Sequence, residues 1–255
     1  MWLVQAGKLV MFQATDLNFI FTKKLMDILL VAATPDEIAP TIVYLNQKFK
    51  QIHPGIYQNG AYSVAVLITG VGMVVTAWEM GRYLTLNKPD WVINAGIAGA
   101  LDPALQLGQV VQVASDCFAD LGAETADNQF LDLFDLQLCG PNDPPFIDGH
   151  LYNSAAEQAT FLPRVQGLTV NRTHGSAETI RALRIKYPGA QVETMEGAAF
   201  FYACLQTGVL FLPIRSISNY VEPRNRKNWK IRLAVEQLNL VVIEMLESLA
   251  ILPIQ

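Results

Sequence analysis

The sequence predicts an α/β fold, a three-layer αβα sandwich in which one sheet is covered on both faces. From Asp27 onward, short β-branched runs alternate with stretches whose apolar residues recur at helical spacing, as such a fold requires. Hydrophobic residues make up 51% of the 255 residues, and no charge block or low-complexity stretch marks a linker. We therefore expect a single domain over residues 26–255, with a ligand site where its strands end.

The first 25 residues stand outside this pattern. They are apolar enough to suggest a signal peptide or membrane anchor, but Lys8, Gln13 and Asp16 interrupt every apolar run, and no basic segment precedes them. Met26 directly precedes the first strong strand, "ILLVAA". We interpret residues 1–25 as an N-terminal extension of unknown role.

The first half of the predicted domain consists of strand–helix units. Residues 28–33 predict a strand, and the prolines of "TPDEIAP" fit the first turn of a following helix. "AYSVAVLITG" predicts the next strand, and "VGMVVTAWEMGRYL" the helix after it. "DWVINAGIAGAL" predicts a third strand that ends in a glycine turn at Gly96 and Gly99.

The second half repeats the design. "LTVNRT" predicts a strand, and the next helix begins after Ser176, whose hydroxyl caps its free amides, and ends before Pro188. "QVETM" predicts a strand that leads into the helix "EGAAFFYACLQT", which Gly208 ends. An apolar strand then gives way to a polar loop at Ser218 and Asn219, and a long amphipathic helix follows over about residues 228–249.

Charge and cysteine usage restrict the partner and the compartment. A formal net charge of -5 argues against nucleic acid and anionic membranes, because both require a basic surface. We therefore expect a small-molecule partner. Three widely spaced cysteines, Cys117, Cys139 and Cys204, fit a reducing cytoplasm and form neither a CxxC motif nor a disulfide framework.

The common cofactor and hydrolase motifs are missing from the sequence. "GVGMVV" lacks the third glycine of a dinucleotide fingerprint, and "GIAGA" lacks the lysine of a P-loop, so both predict tight turns. The histidines have no metal-ligand spacing, and neither HExxH nor GxSxG occurs. We expect no cofactor and no metal.

Three polar residues stand where predicted strands end: Glu37, Glu196 and Asn219. Taken singly, each has an ordinary structural explanation, because carboxylates favour helix N-termini and asparagine favours turns. Strand ends in one sheet converge, however, so the three side chains define a candidate site together.

These stretches resemble the nucleoside phosphorylase and nucleosidase superfamily and, within it, the futalosine hydrolases. The resemblance covers residues 26–249, and its most specific motifs are "LLVAATPDEIAP", "TGVGMV", "INAGIAGAL", "NRTHGSAETI", "ETMEGAAFF" and "IRSISNYVEPRNR". It implies a phosphorylase/hydrolase-like fold with a central mixed sheet, and often a homo-oligomer. The implied reaction cleaves the N-glycosidic bond of futalosine to hypoxanthine and dehypoxanthine futalosine in menaquinone biosynthesis.

The resemblance also implies roles for individual residues. Glu37 occupies the position of the acid that activates water against the anomeric carbon, which is chemistry suited to a carboxylate. Glu196 matches the residue that binds the ribose hydroxyls, and Met195 would pack under the sugar. Thr69 and Gly70 match a turn near the ribose.

Asn219 corresponds to the residue that faces N7 and the C6 substituent of the purine. Adenine-cleaving relatives carry an aspartic acid there, whereas an amide offers an NH2 donor to a 6-oxo group and a carbonyl to N7–H. Asn219 therefore favours hypoxanthine as the leaving group.

Several alternatives remain open at this point. They include a methylthioadenosine/S-adenosylhomocysteine or aminodeoxyfutalosine nucleosidase, a purine nucleoside phosphorylase and a non-catalytic nucleoside-binding protein. The turn "ATPDEIAP" has acids and no arginine, which disfavours phosphate binding and hence the phosphorylase. Arg172, Arg224 and Arg226 are candidates for binding the carboxylate that futalosine carries on its C5′ chain, or are solvated loop cations.

Overall fold

The computed structural model describes residues 2–5, 8–11, 25–153 and 161–251. The strands are β1 (Trp2–Gln5), β2 (Lys8–Met11), β3 (Met26–Ala32), β4 (Lys50–His53), β5 (Ile56–Gln58), β6 (Tyr62–Ile68), β7 (Trp91–Ala100), β8 (Val110–Asp116), β9 (Gly122–Glu124), β10 (Phe130–Asp132), β11 (Leu151–Tyr152), β12 (Arg164–Thr169), β13 (Val192–Thr194) and β14 (Leu210–Tyr220). The helices are α1 (Ala39–Lys48), α2 (Met73–Leu86), α3 (Ala177–Lys186), α4 (Gly197–Thr207) and α5 (Ile231–Ile251). Short 3₁₀ turns, Pro35–Ile38 and Arg226–Asn228, precede α1 and α5.

The central sheet is mixed, as predicted. In the described part of the chain it has ten strands in the order β11-β8-β12-β13-β7-β3-β6-β5-β4, with β14 paired to both β7 and β8. β3 lies parallel between β6 and β7, and β14 is parallel to β7. β13 meets β7 antiparallel, and β14 meets β8 antiparallel. β1 pairs with β2, and β9 with β10, in separate two-stranded sheets.

Helices cover both faces of this sheet, which confirms the three layers. Along β3, Leu29 and Val31 pack into a core that includes side chains of α2 and α4. The alternate residues Ile28 and Leu30 pack into a second core, which includes side chains of α1 and α5. Both sets of β3 side chains are buried, so the continuous apolar run of this strand follows from its position between two helical layers.

The predicted glycine turn at Gly96 and Gly99 is wrong. Both residues lie inside β7, which pairs with β14 from Trp91 to Ala100. A Cβ atom at Gly96 would lie 3.2 Å from Oε1 of Glu37, so the missing side chain makes room for a carboxylate rather than for a turn.

The predicted end of the last strand is also wrong. β14 continues through Asn219 to Tyr220, with an irregularity in its pairing to β7 between Ile217 and Asn219. The "LTVNRT" strand lies earlier than predicted, at Arg164–Thr169, and β8 had not been predicted. The helices opened by Ser176 and ended by Gly208 are confirmed. Among the described residues, no helix combines the length and apolarity needed to cross a membrane.

Candidate active site

The predicted site residues lie around one edge of the central sheet. The parallel strands β3, β6, β7 and β14 run in the same direction, so their C-terminal ends share this edge. Glu37 lies in the 3₁₀ turn that follows β3, and Glu196 is the N-cap of α4. Asn219 lies near the end of β14.

Hydrogen bonds to both oxygens hold the Glu37 carboxylate in place. Oε2 accepts from the backbone N–H of Thr34 at 2.9 Å and from its hydroxyl at 3.1 Å, and Oε1 accepts from the N–H of Ile97 at 3.2 Å. The first two bonds tie the acid to its own turn, and the third ties it to β7. The carboxylate is therefore positioned before any ligand arrives, while it is still partly exposed.

A buried amide on α5 anchors the segment that carries Glu37. Nδ2 of Asn239 donates to the main-chain oxygen of Glu37 at 2.8 Å, and Oδ1 accepts from the N–H and the hydroxyl of Thr41 at 3.0 and 2.6 Å. Sequence reasoning missed Asn239. Its signal was a lone polar residue on the apolar face of the C-terminal helix.

A buried arginine lies beneath the same edge. Nη1 of Arg215 donates to the main-chain oxygens of Asn94 and Ile214 at 3.0 and 2.9 Å, and Nη2 donates to Oδ1 of Asn94. A Cβ atom at Gly96 would lie 3.6 Å from its Nε, so Arg215 and Glu37 approach the same glycine. Sequence reasoning missed this cation as well.

The charges of Arg215 and the acids interact. Burial lowers the pKa of the Arg215 guanidinium, and the nearby carboxylates of Glu196, Glu37 and Asp116 oppose this shift. The arginine therefore supplies buried positive charge between the acids, where their mutual repulsion would otherwise be unbalanced.

Glu196 is held by the turn before α2. Its Oε1 accepts from the N–H of Gly72 at 2.8 Å, and Gly72 has φ +99°, a backbone conformation that favours glycine. Burial raises the pKa of Glu196; the Gly72 N–H and Arg215 oppose the shift, and the charge of Glu37 adds to it. The two acids thus influence each other electrostatically, as expected for groups in one site.

The remaining predicted ribose-side residues lie nearby in the fold. The N–H groups of Thr69 and Gly70 donate to the main-chain oxygens of Ala32 and Ala33 at 3.0 and 3.1 Å, which places this turn beside the chain leading to Glu37. Thr69 is buried. Met195 is half-buried and directly precedes Glu196. Their roles toward a substrate stay predictions.

Neighbouring groups orient the Asn219 amide. The hydroxyl of Ser218 donates to Oδ1 at 2.8 Å, and Nδ2 donates to the main-chain oxygen of Tyr220 at 3.0 Å. Each amide end has one further hydrogen-bonding position after these bonds, an acceptor site on Oδ1 and a hydrogen on Nδ2. The half-buried amide is therefore fixed in one orientation and still able to bind a ligand.

A carboxylate–imidazole pair lies one strand away and was not predicted. Glu193 is paired with Gly99 in β7, which pairs with Asn219 on its other side. Oε2 of Glu193 is 2.5 Å from Nδ1 of His174, and the His174 N–H donates to Oε1 at 3.2 Å. A buried glutamate inside the strand "QVETM" was the available signal, because such an acid needs a partner.

A second buried acid underlies the start of α4. Oδ1 of Asp116 accepts from the N–H of Cys117 and the hydroxyl of Thr169, both at 2.8 Å, whereas Oδ2 has no hydrogen-bond partner. The same Thr169 hydroxyl accepts from the N–H of Ala198 in the first turn of α4 at 2.8 Å. Burial raises the pKa of Asp116 to about 7, against the effects of Thr169, Cys117 and Arg215.

The described part of the chain contains no group of three or more His, Cys, Asp or Glu side chains able to hold a metal ion. The arrangement instead offers two converging carboxylates, a buried guanidinium and an oriented amide. Such groups can activate water, accept hydrogen bonds from a diol and bind the edge of a heterocycle.

The fold is that of an α/β protein, and these groups form a candidate active site at its strand ends. The model of the phosphorylase superfamily matches residues 27–248, and the chain belongs to this superfamily. Its curated relatives are hydrolases and nucleosidases that act on N-glycosyl bonds.

Proteins named futalosine hydrolase are among these relatives. The protein from Streptomyces coelicolor is 38% identical over 149 residues, which are 58% of this chain and 62% of the relative. The one from Acidothermus cellulolyticus is 32% identical over 177 residues, 68% of this chain and 71% of the relative. A 5′-methylthioadenosine/S-adenosylhomocysteine nucleosidase from Psychromonas ingrahamii is 27% identical over 232 residues, 88% of this chain and all of the relative.

Solved structures share the fold. A 5′-methylthioadenosine/S-adenosylhomocysteine nucleosidase from Colwellia psychrerythraea, in complex with adenine, superposes with a TM-score of 0.70 at 21% identity and covers 89% of this chain and 96% of its own. Futalosine hydrolase of Helicobacter pylori superposes with a TM-score of 0.69 at 17% identity and covers 88% of this chain and 98% of its own.

Proposed function

We propose that this protein hydrolyses the N-glycosidic bond of futalosine and releases hypoxanthine and dehypoxanthine futalosine, without a cofactor. The proposal places the reaction in menaquinone biosynthesis and in the cytoplasm, the reducing compartment that three unpaired cysteines fit. Similarity to proteins named futalosine hydrolase supports it. The observation that carries it is the oriented amide of Asn219.

In this mechanism Asn219 binds the leaving base. Its free Oδ1 position accepts from N7–H once the departing purine has taken a proton from solvent water, and the free Nδ2 hydrogen donates to O6. The 6-amino group of adenine would face Nδ2, and both groups are hydrogen-bond donors. Adenine would therefore bind less well, because an unpaired, desolvated donor costs about 1–3 kcal/mol. An aspartate in the present geometry would direct a carboxylate oxygen at the Tyr220 carbonyl, so the bond at 3.0 Å supports an amide at this position.

Glu37 acts as the general base. Thr34 fills both acceptor positions of Oε2, whereas Oε1 accepts only from Ile97 and keeps capacity to orient a water molecule toward the anomeric carbon. As the water attacks, Glu37 takes its proton, and the negative charge offsets the positive charge that builds on the ribosyl ring.

Glu196 binds the ribose. Gly72 occupies one oxygen, and the carboxylate retains acceptor positions for the 2′- and 3′-hydroxyl groups. Met195 packs under the sugar, and Thr69 and Gly70 approach its edge. These hydrogen bonds strengthen as the ring becomes cationic, so they contribute to the rate as well as to binding.

Two other candidates keep specific support. The Psychromonas ingrahamii relative, matched over its whole length, favours a methylthioadenosine/S-adenosylhomocysteine nucleosidase. The superfamily itself favours a purine nucleoside phosphorylase. Against phosphorolysis, the turn after β3 presents Asp36 and Glu37, whose charges repel a phosphate dianion.

The test compares substrates and a matched variant. Purified protein is incubated with futalosine, aminodeoxyfutalosine or methylthioadenosine, with and without phosphate, and released base is quantified by chromatography. We expect phosphate-independent release of hypoxanthine from futalosine. Asn219→Asp should shift the ratio of kcat/KM roughly ten- to hundredfold toward aminodeoxyfutalosine, whereas the control Asn87→Asp, on an exposed helix end, should not.

Each contrary outcome points to a different class. Adenine release from methylthioadenosine alone supports the nucleosidase, and a requirement for phosphate supports the phosphorylase. No release from any nucleoside supports a binding protein. An unchanged substrate ratio in Asn219→Asp removes Asn219 from base recognition.

The proposal includes a homo-oligomer and a dispensable N-terminus. The turn before α2, which holds Glu196 through Gly72, and the first half of α2 carry the exposed side chains of Val71, Val74 and Trp78. A second copy of the chain would cover them. A chain that begins at Met26, the first residue of β3, should retain the activity.

A further inference from the structure

The loop after β14 has a charge opposite to that of the whole chain. Residues 221–230 contain four cationic side chains and one acidic one, a formal charge of +3 in a protein of net charge -5. The loop starts two residues after Asn219, and its end returns to the same place, because the Lys230 N–H donates to the main-chain oxygen of Ser218 at 2.7 Å. The cations therefore lie at the rim of the candidate site.

Two guanidinium groups of this loop lie over one indole ring. Cζ of Arg224 is 5.0 Å and Cζ of Arg226 is 5.6 Å from the centre of the Trp229 ring. Attraction to an aromatic ring restrains a guanidinium and leaves N–H groups free to donate. The half-buried Trp229 thus orients two cations at once.

The cluster is anchored to the loop after β12 but has no counter-ion among the described residues. Arg224 donates through its backbone N–H to Gly175 at 3.0 Å and through Nη1 to the Thr173 hydroxyl at 3.3 Å. Within the described ranges, neither arginine forms an ion pair with an acidic side chain. The one acid of the loop, Glu222, accepts from Nδ2 of Asn228 at 2.8 Å instead.

We propose that Arg224, Trp229 and Arg226 form a subsite for a carboxylate at the end of the substrate substituent remote from the base. The inference rests on the proposed function, in which the substrate carries such a group. A planar carboxylate matches the edge of a guanidinium and accepts two hydrogen bonds from it. Glu37 and Glu196 would repel an anion from the reaction centre, so an anionic substrate fits only if its charge is bound at the rim.

The experiment uses futalosine and its methyl ester, which share base, ribose and chain and differ in one charge. We expect Arg226→Gln to lower kcat/KM for futalosine 10- to 100-fold, mainly through KM, and to leave the methyl ester within about twofold. Trp229→Leu should act in the same direction because it releases both guanidinium groups. Lys227→Gln is the matched control, since it removes one charge from the same loop without touching the indole.

Guanidinium groups also bind phosphate, so inorganic phosphate is used to test whether the subsite binds phosphate instead of a carboxylate. If the subsite binds a carboxylate, phosphate at millimolar concentration should not accelerate base release. Any inhibition by phosphate should be the same in the wild type and in Arg226→Gln. Phosphate-dependent cleavage that Arg226→Gln abolishes would overturn the inference.

Failure of the inference and failure of the proposed function give different results. Equal losses on acid and ester, or equal losses in Arg226→Gln and Lys227→Gln, contradict the subsite while the wild type still releases hypoxanthine. If the wild type releases no base, the proposed function fails. Calorimetric binding of futalosine and its ester to Glu37→Gln then tests the subsite separately, and ester binding as tight as that of the acid contradicts it.

Discussion

At the scale of single residues, Glu37 combines an observed structural role with a proposed chemical one. Its carboxylate accepts from Thr34 and Ile97, so a structural role alone would explain its position. A purely structural acid would not need to stay partly exposed at the edge where Glu196 and Arg215 converge. A variant that keeps the shape of the side chain but cannot accept a proton distinguishes the structural role from the chemical one.

Glu37→Gln should therefore lower kcat by about 10²-fold or more with KM little changed, because an amide cannot take the proton of the attacking water. The measurement is steady-state hydrolysis of futalosine, with thermal unfolding as a check on the fold. Asp36→Asn, an exposed neighbour in the same turn, serves as the control and should keep full activity. Near-normal turnover in Glu37→Gln would remove Glu37 from the mechanism.

Asp116 gives a prediction about pH. Its pKa is raised to about 7, so between its unfolded value near 4 and pH 7 the folded state binds the extra proton. Stability linked to this group is thus full below pH 4 and falls as the pH rises to 7. Asp116→Asn should remove that loss, which amounts to a few kcal/mol at most.

The check is the unfolding temperature of both proteins at several pH values from 4 to 8. The unfolding temperature of Asp116→Asn should rise relative to that of the wild type up to about pH 7, and the difference should then stay constant. A difference that stays constant with pH would show that the Asp116 carboxyl ionises normally despite its burial.

Candidate site residues at strand ends could be predicted from the sequence, but the hydrogen-bond partners of buried polar residues could not. Glu37, Glu196 and Asn219 could be selected because polar residues interrupt apolar runs there. Asn239 bonds to Thr41 across 198 positions of sequence, and the partner of His174 lies 19 positions away. Such pairings depend on how the elements pack against one another, which local sequence does not encode.

At the scale of elements, the misread glycines of β7 have one physical cause. Glycine breaks patterns in turns and also permits close approach in strands, and the sequence does not separate the two uses. In β7 the approach is that of Glu37 and Arg215 to Gly96. β14 also continues past an irregularity in its pairing before Asn219, where polar residues suggested a loop.

The docking of α5 against the Glu37 segment leads to an element-scale prediction. Asn239→Leu leaves Thr41 and the Glu37 carbonyl without their buried partner, at a cost of about 1–3 kcal/mol for each unsatisfied group. The 3₁₀ turn should loosen, so kcat should fall at least tenfold in protein that remains folded.

Asn239→Asp separates anchoring from stability, since it keeps the acceptor for Thr41 but loses the donor to Glu37. Leu240→Ala, at an exposed site on the same helix, is the control and should change neither activity nor unfolding temperature appreciably. Full activity in both Asn239 variants would show that Glu37 needs no support from α5.

At the scale of the whole molecule, the three layers were predictable and the strand order was not. Continuous apolar strands require helices on both faces, and the alternating cores along β3 satisfy that requirement. β13 pairs antiparallel with β7, and β8 pairs antiparallel with β14. These are long-range pairings, for which the sequence carries no local signal.

The exposed apolar face at the start of α2 provides the last prediction. Val74 and Trp78 are 79% and 68% exposed, an unfavourable arrangement for a lone chain and a favourable one for an interface between two copies. The same turn holds Glu196 through Gly72, so association should support the site as well as cover the surface. Trp78→Glu should shift the mass measured by light scattering from an oligomer to the monomer and lower kcat/KM at least tenfold. Leu86→Glu, 76% exposed at the other end of α2, should change neither. A wild-type protein that is monomeric at micromolar concentration and fully active would contradict both the interface and its link to the site.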